Sequence, residues 1–251
     1  INGYLYSYDY QGGLGVFVID TVTNTLVTTI AGGNCRGIEY CPSTNEVWVI
    51  SFVGGGISPI MIIDCVTNTE VARVPFPVSQ PQDLQYNSVD DTMYVAYVFG
   101  IGVVVISVVS RTITANINLA KTDTFGLTFY PLKNQIYVSY LSGDYITIID
   151  CNTNLESKKI VFPFGVIAVY DTFYVSAFGY IYFSDNTNNF LRVINPVTEE
   201  LEPTLDISVP YSSNFIYYTF DTQNSVLYAE NGSVTYYFEG TSTPFYIGGS
   251  V

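Results

Sequence analysis

Residues 18–30 read VIDTVTNTLVTTI, and close copies occur at 62–74 (IIDCVTNTEVARV) and at 148–160 (IIDCNTNLESKKI). Each copy begins with a run of β-branched residues that ends in Asp, passes through a polar Thr-Asn segment and returns to a second run. β-Branched residues favour strands, and Asn, Asp and Thr favour tight turns. Each copy is therefore predicted to form a β-hairpin.

The hairpin marks a repeat that runs along the whole chain. The hydrophobic strand that ends at Asp20 has counterparts ending near 64, 107, 150, 195 and 238, at steps of 43 to 45 residues. Each unit contains a strand, a Pro/Asn/Asp-rich turn, two further strands, the Thr-Asn turn and a more polar fourth strand. Four antiparallel strands in about 43 residues are typical of a β-propeller blade. We therefore predict an all-β, six-bladed β-propeller that residues 1–251 form as a single domain, alone or within a longer chain or assembly.

The first unit lacks one strand in this alignment. The segment YLYSYDY (4–10) corresponds to the second strand of the other units, and the tail (241–251) aligns with a fourth strand. Three alternatives follow for the empty first-strand position. The tail bends inward to fill it, residues outside this sequence fill it, or it stays open.

Four short segments carry a resemblance to a known family. Residues 37–42 (GIEYCP), 47–51 (VWVIS), 63–64 (ID) and 67–69 (TNT) are similar to the YVTN-type β-propeller repeats of surface-layer-like and other extracellular proteins. The resemblance implies the propeller fold and an extracellular, cell-surface or virion-surface location. It does not imply one activity, and the third unit departs from the pattern at Ser107.

The composition excludes two classes of partner. Charged residues make up only 12% of the 251 residues, where globular proteins average about 25%, and the net charge is −14. Only Lys158 and Lys159 are adjacent bases, whereas nucleic-acid binding requires a basic stripe. The uncharged run 92–110 is predicted to be two buried strands, so no membrane insertion is expected.

Catalytic and metal-binding motifs are scarce in this sequence. The chain has no His, which excludes Ser-His-Asp and Cys-His catalysis and every His metal ligand. We expect no cofactor and no enzymatic activity. The predicted function is a non-catalytic extracellular or virion-surface module for adhesion, recognition or assembly, whose partners are subunits of the same assembly or a host-surface glycan or protein.

Two alternative functions remain. One is a structural subunit of a sheath, filament, tail or surface layer in which a neighbour's strand completes the first unit. The other is a Ca²⁺-dependent hydrolase, because six-bladed propellers host such enzymes, although fold alone does not assign function.

A row of polar residues ends the third strands. Asp20, Asp64, Asp150 and Asn195 occupy equivalent positions in their units. They are predicted either to bind Ca²⁺ or a sugar as a ring, or to accept backbone N–H groups of the following turn, and the second interpretation is favoured.

The remaining candidate site residues are of three kinds. Asn231 begins an Asn-Gly-Ser glycosylation sequon, and Cys41 and Cys65 are candidates for a disulfide. Aromatic residues near strand ends are candidates for a binding face that stacks on sugars or anchors a protein. They are Tyr8, Tyr10, Phe99, Tyr140, Phe178 and Tyr180.

Overall fold

The computed structural model is an all-β protein. It describes residues 3–208, except 11, 53–57, 77–79, 99, 101, 164, 166, 167, 170, 171, 186 and 189, and beyond them the strands at 217–221, 226–230, 235–239 and 245–247. The chain separates into two compact units, Ile1–Thr124 and Phe125–Val251. The only helical element among the described residues is a 3-10 turn at Pro203–Leu205.

Three antiparallel sheets make up the first unit. The first sheet has three strands and the second and third have four each, and neighbours in every sheet are consecutive in the chain. The strands are β1 (Tyr4–Tyr8), β2 (Val16–Asp20) and β3 (Thr25–Ile30); β4 (Asn34–Cys41), β5 (Glu46–Phe52), β6 (Ile60–Asp64) and β7 (Thr69–Val74); and β8 (Pro81–Asn87), β9 (Thr92–Tyr97), β10 (Val103–Ser107) and β11 (Thr112–Ile117).

The second unit repeats this organisation. Its first sheet contains β12 (Thr124–Tyr130), β13 (Gln135–Tyr140), β14 (Tyr145–Asp150) and β15 (Leu155–Val161). The next contains β16 (Thr172–Val175), β17 (Tyr180–Asp185), β18 (Phe190–Asn195), β19 (Glu200–Leu201) and β20 (Ile207–Ser208), and the last contains β21 (Tyr217–Asp221), β22 (Val226–Glu230), β23 (Thr235–Glu239) and β24 (Phe245–Ile247).

The repeated sequence produces repeated local geometry. In four sheets the last two strands shift register by one residue at the same place, between Val18 and Ile19 in the first sheet and at its equivalents in the others. The turns before these bulges place Asn24, Asn68 and Asn154 at φ of 54° to 55°. Asn tolerates this left-handed conformation better than most residues, which explains its recurrence.

The core of the first unit lies between its sheets. One cluster joins Tyr6 and Val18 of the first sheet to Val49 of the second. Another joins the second sheet to the third, and Trp48 at its centre is fully buried. The second sheet therefore buries its two faces against the first and third sheets rather than against helices.

The run 92–110 forms β9 and β10 with a connection between them, as predicted. Within the part of the chain that the structure describes, no helix has the length and apolar character needed to cross a membrane.

The described part of the tail does not fill the empty first-strand position of the first sheet. Phe245 and its neighbours pair with β23, so β24 is the fourth strand of the last sheet. β1 pairs with β2 in register from Tyr4 opposite Asp20 to Tyr8 opposite Val16. Among the described strands, β2 is the only one paired with β1.

Candidate functional site

The first strands of the second and third sheets, β4 and β8, approach each other closely. Gly37 of β4 lies at this contact and forms a bulge with φ of 38°. A Cβ atom at this position would lie 3.3 Å from Asp83 Cα and 3.3 Å from the backbone oxygen of Gln82. Glycine therefore allows two backbones to meet where a side chain would separate them.

Polar side chains gather where these two strands meet. We call them the first-strand cluster, and they are Arg36, Glu39, Gln82, Asp83 and Gln85. The cluster combines carboxyl, carboxamide and guanidinium groups, all of them on first strands.

Glu39 is the central group of the first-strand cluster. Its Oε1 accepts hydrogen bonds from Gln85 Nε2 at 3.0 Å and from the backbone N–H of Tyr86 at 3.1 Å. Burial raises the pKa of Glu39 to about 8; the Tyr86 N–H lowers it, and the nearby Asp83 carboxylate adds to the rise. The residue nevertheless remains partly accessible to solvent. Glu39 is thus a half-buried residue whose carboxyl group is desolvated and keeps its proton near neutral pH.

Arg36 supplies the positive charge of the cluster. Its Nη1 donates a hydrogen bond to Gln82 Oε1. Its guanidinium carbon lies 5.3 Å from the ring centre of Tyr10 and 5.1 Å from that of Phe52, within cation–π range of both. The two rings and Gln82, which precedes Asp83 in the chain, fix the position of the guanidinium.

A neutral version of this contact occurs in the second unit. Thr128 on β12 donates a hydrogen bond to the backbone oxygen of Thr172 on β16, and the two hydroxyl groups lie 2.7 Å apart. Polar bridges between first strands therefore have a structural role in both units. What distinguishes the first-strand cluster is that its bridge is ionisable.

Polar residues at the ends of the third strands act as turn acceptors. Asp64 Oδ1 accepts from the backbone N–H groups of Val66 at 2.9 Å and Thr67 at 2.7 Å, and Asp20, Asp150 and Asn195 make equivalent bonds. The backbone N–H donors, that of Thr67 first, lower the pKa of Asp64. The favoured interpretation of this row is confirmed. No group of three or more Cys, Asp or Glu among the described residues could hold a metal ion.

The predicted aromatic face is brought together only in part. Tyr10 is exposed, whereas Tyr8, Phe178 and Tyr180 are half-buried. Tyr140 is a core residue, 1% exposed, whose hydroxyl lies 2.7 Å from Thr147 Oγ1, so its prediction as a surface aromatic was wrong. Phe99 lies outside the described residues.

Cys41 and Cys65 do not form the candidate disulfide. Both are buried free thiols, and they belong to different core clusters. Cys41 lies opposite Glu46, and Glu46 lies opposite Asp64. Because alternate residues of a strand face opposite sides, Cys65 faces away from Cys41. The sequon residue Asn231 lies outside the described residues.

The sequence analysis missed Glu39 as a functional candidate. No signal in the sequence was specific to Glu39, because other glutamates also lie in strands, namely Glu46, Glu70 and Glu156. Its effect depends on Gln85, Tyr86 and Asp83 of the adjacent sheet, which the sequence alone does not place beside it.

Comparison with known proteins identifies the fold. No family model matches the sequence, and neither does any curated protein. Among solved structures, Kuenenia stuttgartiensis hydrazine synthase matches with a TM-score of 0.77 and 13% identity, over 94% of this chain and 73% of that one. The dihydro-heme d1 dehydrogenase NirN in complex with DHE matches with a TM-score of 0.65 and 14% identity, over 95% of this chain and 53% of that one. With the repeated four-stranded sheets, these matches define a β-propeller-like fold.

The same comparison corrects one prediction. We expected this chain not to be an enzyme, and this is contradicted, since the two similar structures described above are of enzymes, a synthase and a dehydrogenase. At 13% and 14% identity the likeness carries the fold and not the reactions. An absence of His is therefore too weak a reason to exclude catalysis on this fold.

Proposed function

We propose that this chain is a six-bladed β-propeller of the YVTN-repeat type that recognises a hydroxyl-rich ligand, such as a host-surface glycan, outside the cell or on a virus particle. The observation that carries the proposal is the first-strand cluster. First strands of propeller blades surround a central channel, so this cluster would face a ligand that enters the channel.

The chemistry of the cluster suits hydroxyl groups. A protonated carboxyl at Glu39 both donates and accepts hydrogen bonds, and the amides of Gln82 and Gln85 do the same. Arg36 adds guanidinium donors, and Tyr10 adds an exposed aromatic residue next to them. A pocket for a polar ligand needs a few convergent polar groups of this kind.

A glycan array tests this proposal. The purified protein is screened, and the strongest ligand is then titrated by calorimetry against the parent chain and against Glu39→Ala and Gln82→Ala. We expect each variant to bind about tenfold more weakly, since a lost hydrogen bond to a ligand costs roughly 1.4 kcal/mol or more. Circular dichroism verifies that the variants are folded.

Glu70→Gln is the matched control. Glu70 lies on β7 of the same sheet and pairs with Arg73 at 2.7 Å, away from the first strands. We expect it to bind as the parent does. Unchanged affinity in both cluster variants, or no glycan ligand at all, would overturn the proposal.

Acid–base catalysis on the bound ligand is the second candidate, and the raised pKa of Glu39 favours it. A carboxyl group with a pKa of about 8 holds a proton that it can give to a leaving oxygen at neutral pH. Glu39→Gln would then abolish turnover of a cleavable glycan while binding persists. Product release that continues in this variant would remove this candidate.

A further inference from the structure

In the second and third sheets, a first strand pairs with the outer edge of the second strand. In the first sheet, the equivalent edge of β1 has no such partner among the described strands. In the second sheet Glu39 of β4 lies opposite Trp48 of β5, and in the third sheet Gln85 of β8 lies opposite Tyr94 of β9. The equivalent of Trp48 in the first sheet is Tyr6, because Tyr6 is opposite Val18 as Trp48 is opposite Ile62. Among the described strands, none places a first-strand residue opposite Tyr6.

The backbone of Tyr6 points toward this edge. Thr21 N–H donates to Gly3 O at 2.8 Å, and Asp9 N–H donates to Gly15 O at 2.9 Å. Odd-numbered residues of this segment therefore bond to β2, and in an antiparallel ladder the residues between them point outward. Tyr6 N–H and C=O thus face away from β2, and no described residue bonds to them, whereas its side-chain hydroxyl donates to Asn68.

The chain itself shows which strand fits such an edge. Three first strands carry an aliphatic–polar–aromatic triplet, at 38–40 (Ile-Glu-Tyr), 84–86 (Leu-Gln-Tyr) and 127–129 (Leu-Thr-Phe). In the first two, the middle residue pairs with the second strand of its own sheet. Glu39 and Thr128 also reach the first strand of the next sheet, through Tyr86 N–H and Thr172 O respectively.

The second sheet has a receptor for that middle side chain. The group equivalent to Tyr86 N–H is Tyr40 N–H on β4. The Cys65 N–H donates to the Asn45 backbone oxygen, so odd-numbered residues of β5 form their backbone hydrogen bonds with β6. Val47, which lies opposite Tyr40, therefore directs its backbone groups toward β6 and away from Tyr40. No described residue accepts the Tyr40 N–H. Two separate backbone donors, at Tyr6 and Tyr40, are therefore positioned for one added strand.

We propose that β1 binds an extended segment of another polypeptide chain with an aliphatic–polar–aromatic triplet, antiparallel to β1 and with its polar residue opposite Tyr6. Backbone hydrogen bonds provide the affinity in such strand addition, and alternate side chains provide the specificity. The inference rests on the propeller fold proposed above and makes the module a point of assembly. It does not depend on glycan binding.

A peptide with the sequence of Pro81–Asn87 (PQDLQYN) is the probe, because it has the triplet and no Cys. It is acetylated, amidated and labelled with fluorescein, and its binding to the whole protein is followed by anisotropy. We expect saturable binding with a Kd on the order of 10–100 μM. Hydrogen exchange at the Tyr6 amide is expected to slow at least tenfold when the peptide is bound.

Two N-methylated peptides are matched controls that leave the protein intact. Methylation at the nitrogen of Gln85 removes the N–H that would face Tyr6, and we expect at least a tenfold loss of affinity. Methylation at Leu84 removes an N–H that faces the other side, and we expect affinity within about twofold of the parent peptide.

Three results would overturn the inference. The first is a Tyr6 amide that is already protected from exchange in the free protein. The second is no binding at about 1 mM peptide, a concentration on the order of the weakest specific dissociation constants. The third is equal binding of the two methylated peptides. The glycan titration is run on the same preparation. Loss of glycan binding with peptide binding retained would contradict the proposed ligand and leave strand addition standing.

Discussion

The first and second sheets share a hairpin sequence but differ in completeness and in burial. Residues 18–25 (VIDTVTNT) and 62–69 (IIDCVTNT) form the same turn, with Asn24 and Asn68 at φ of 54° and 55°. Leu5 of the first sheet is 53% exposed, whereas its equivalent in the second sheet, Val47, is 1% exposed. The comparison teaches that the repeat sequence specifies hairpins, while burial is supplied by the neighbouring sheet.

Each of the two sheets has a glycine with a positive φ, and only the one in the second sheet is closely surrounded by other atoms. Gly37 has φ of 38°, and a Cβ there would lie 2.9 Å from Ile50 Cδ1 and 3.3 Å from Asp83 Cα, whereas Gly3 has φ of 82° and open space around it. We expect Gly37→Ala to cost about 2–4 kcal/mol of unfolding free energy, from overpacking and from strain. Gly3→Ala is expected to cost about 1 kcal/mol, from strain alone. Urea unfolding measures both, and equal losses would show that β4 and β8 are not in close contact.

Equivalent apolar residues test the difference in burial. Val47→Ala should cost about 1.5–3 kcal/mol, because Val47 is fully packed between the first and second sheets. Leu5→Ala should cost less than about 0.5 kcal/mol, as exposed substitutions usually do. The measurement is again urea unfolding, with m-values compared to verify two-state behaviour. A loss at Leu5 as large as that at Val47 would mean that the first sheet is covered in solution.

The raised pKa of Glu39 on its first strand makes the stability of the second sheet fall as pH rises. The unfolded chain releases the Glu39 proton near pH 4.3, whereas the folded chain retains it to about pH 8. Between these values the folded state binds more protons, so stability falls as pH rises, by up to about 1.4 kcal/mol per pH unit. Above pH 8 the loss is complete.

Glu39→Gln is expected to remove this fall, since its amide oxygen still accepts the Tyr86 N–H and does not ionise. Thermal unfolding of the parent and variant from pH 4 to 9 measures the effect. Glu70→Gln on the exposed β7 is the control and should follow the parent. Parallel curves for Glu39→Gln and the parent would contradict a raised pKa at Glu39.

The turns should respond alike in the two sheets. Asp20 and Asp64 each accept two backbone N–H groups of their own turn. Asp20→Ala and Asp64→Ala should therefore lower the melting temperature equally, and by less than Val47→Ala does. A much larger effect at Asp64 would show that the complete sheet depends on its turn more than the incomplete one.

The sequence predicted the local structure well and the contacts between sheets poorly. The run 92–110 and the acceptor role of Asp64 follow from alternation and turn chemistry within a few residues, and both were confirmed. The prediction that Tyr140 belongs to a surface binding face was wrong, because its environment depends on Tyr145 and Thr147 of the next strand. Glu39 was missed for the same reason, since its pKa depends on groups of the adjacent sheet.

The consecutive order of strands also bears on how the chain folds. Within each described sheet, every strand after the first pairs with the one before it in the chain, apart from β20, which pairs with β18. Sequence separation between paired strands is therefore short, so little loop entropy opposes their closure. Each sheet is expected to assemble from its own hairpins, in chain order, as synthesis proceeds. The incomplete first sheet would then form before the sheets that follow it and would wait longest for its neighbours.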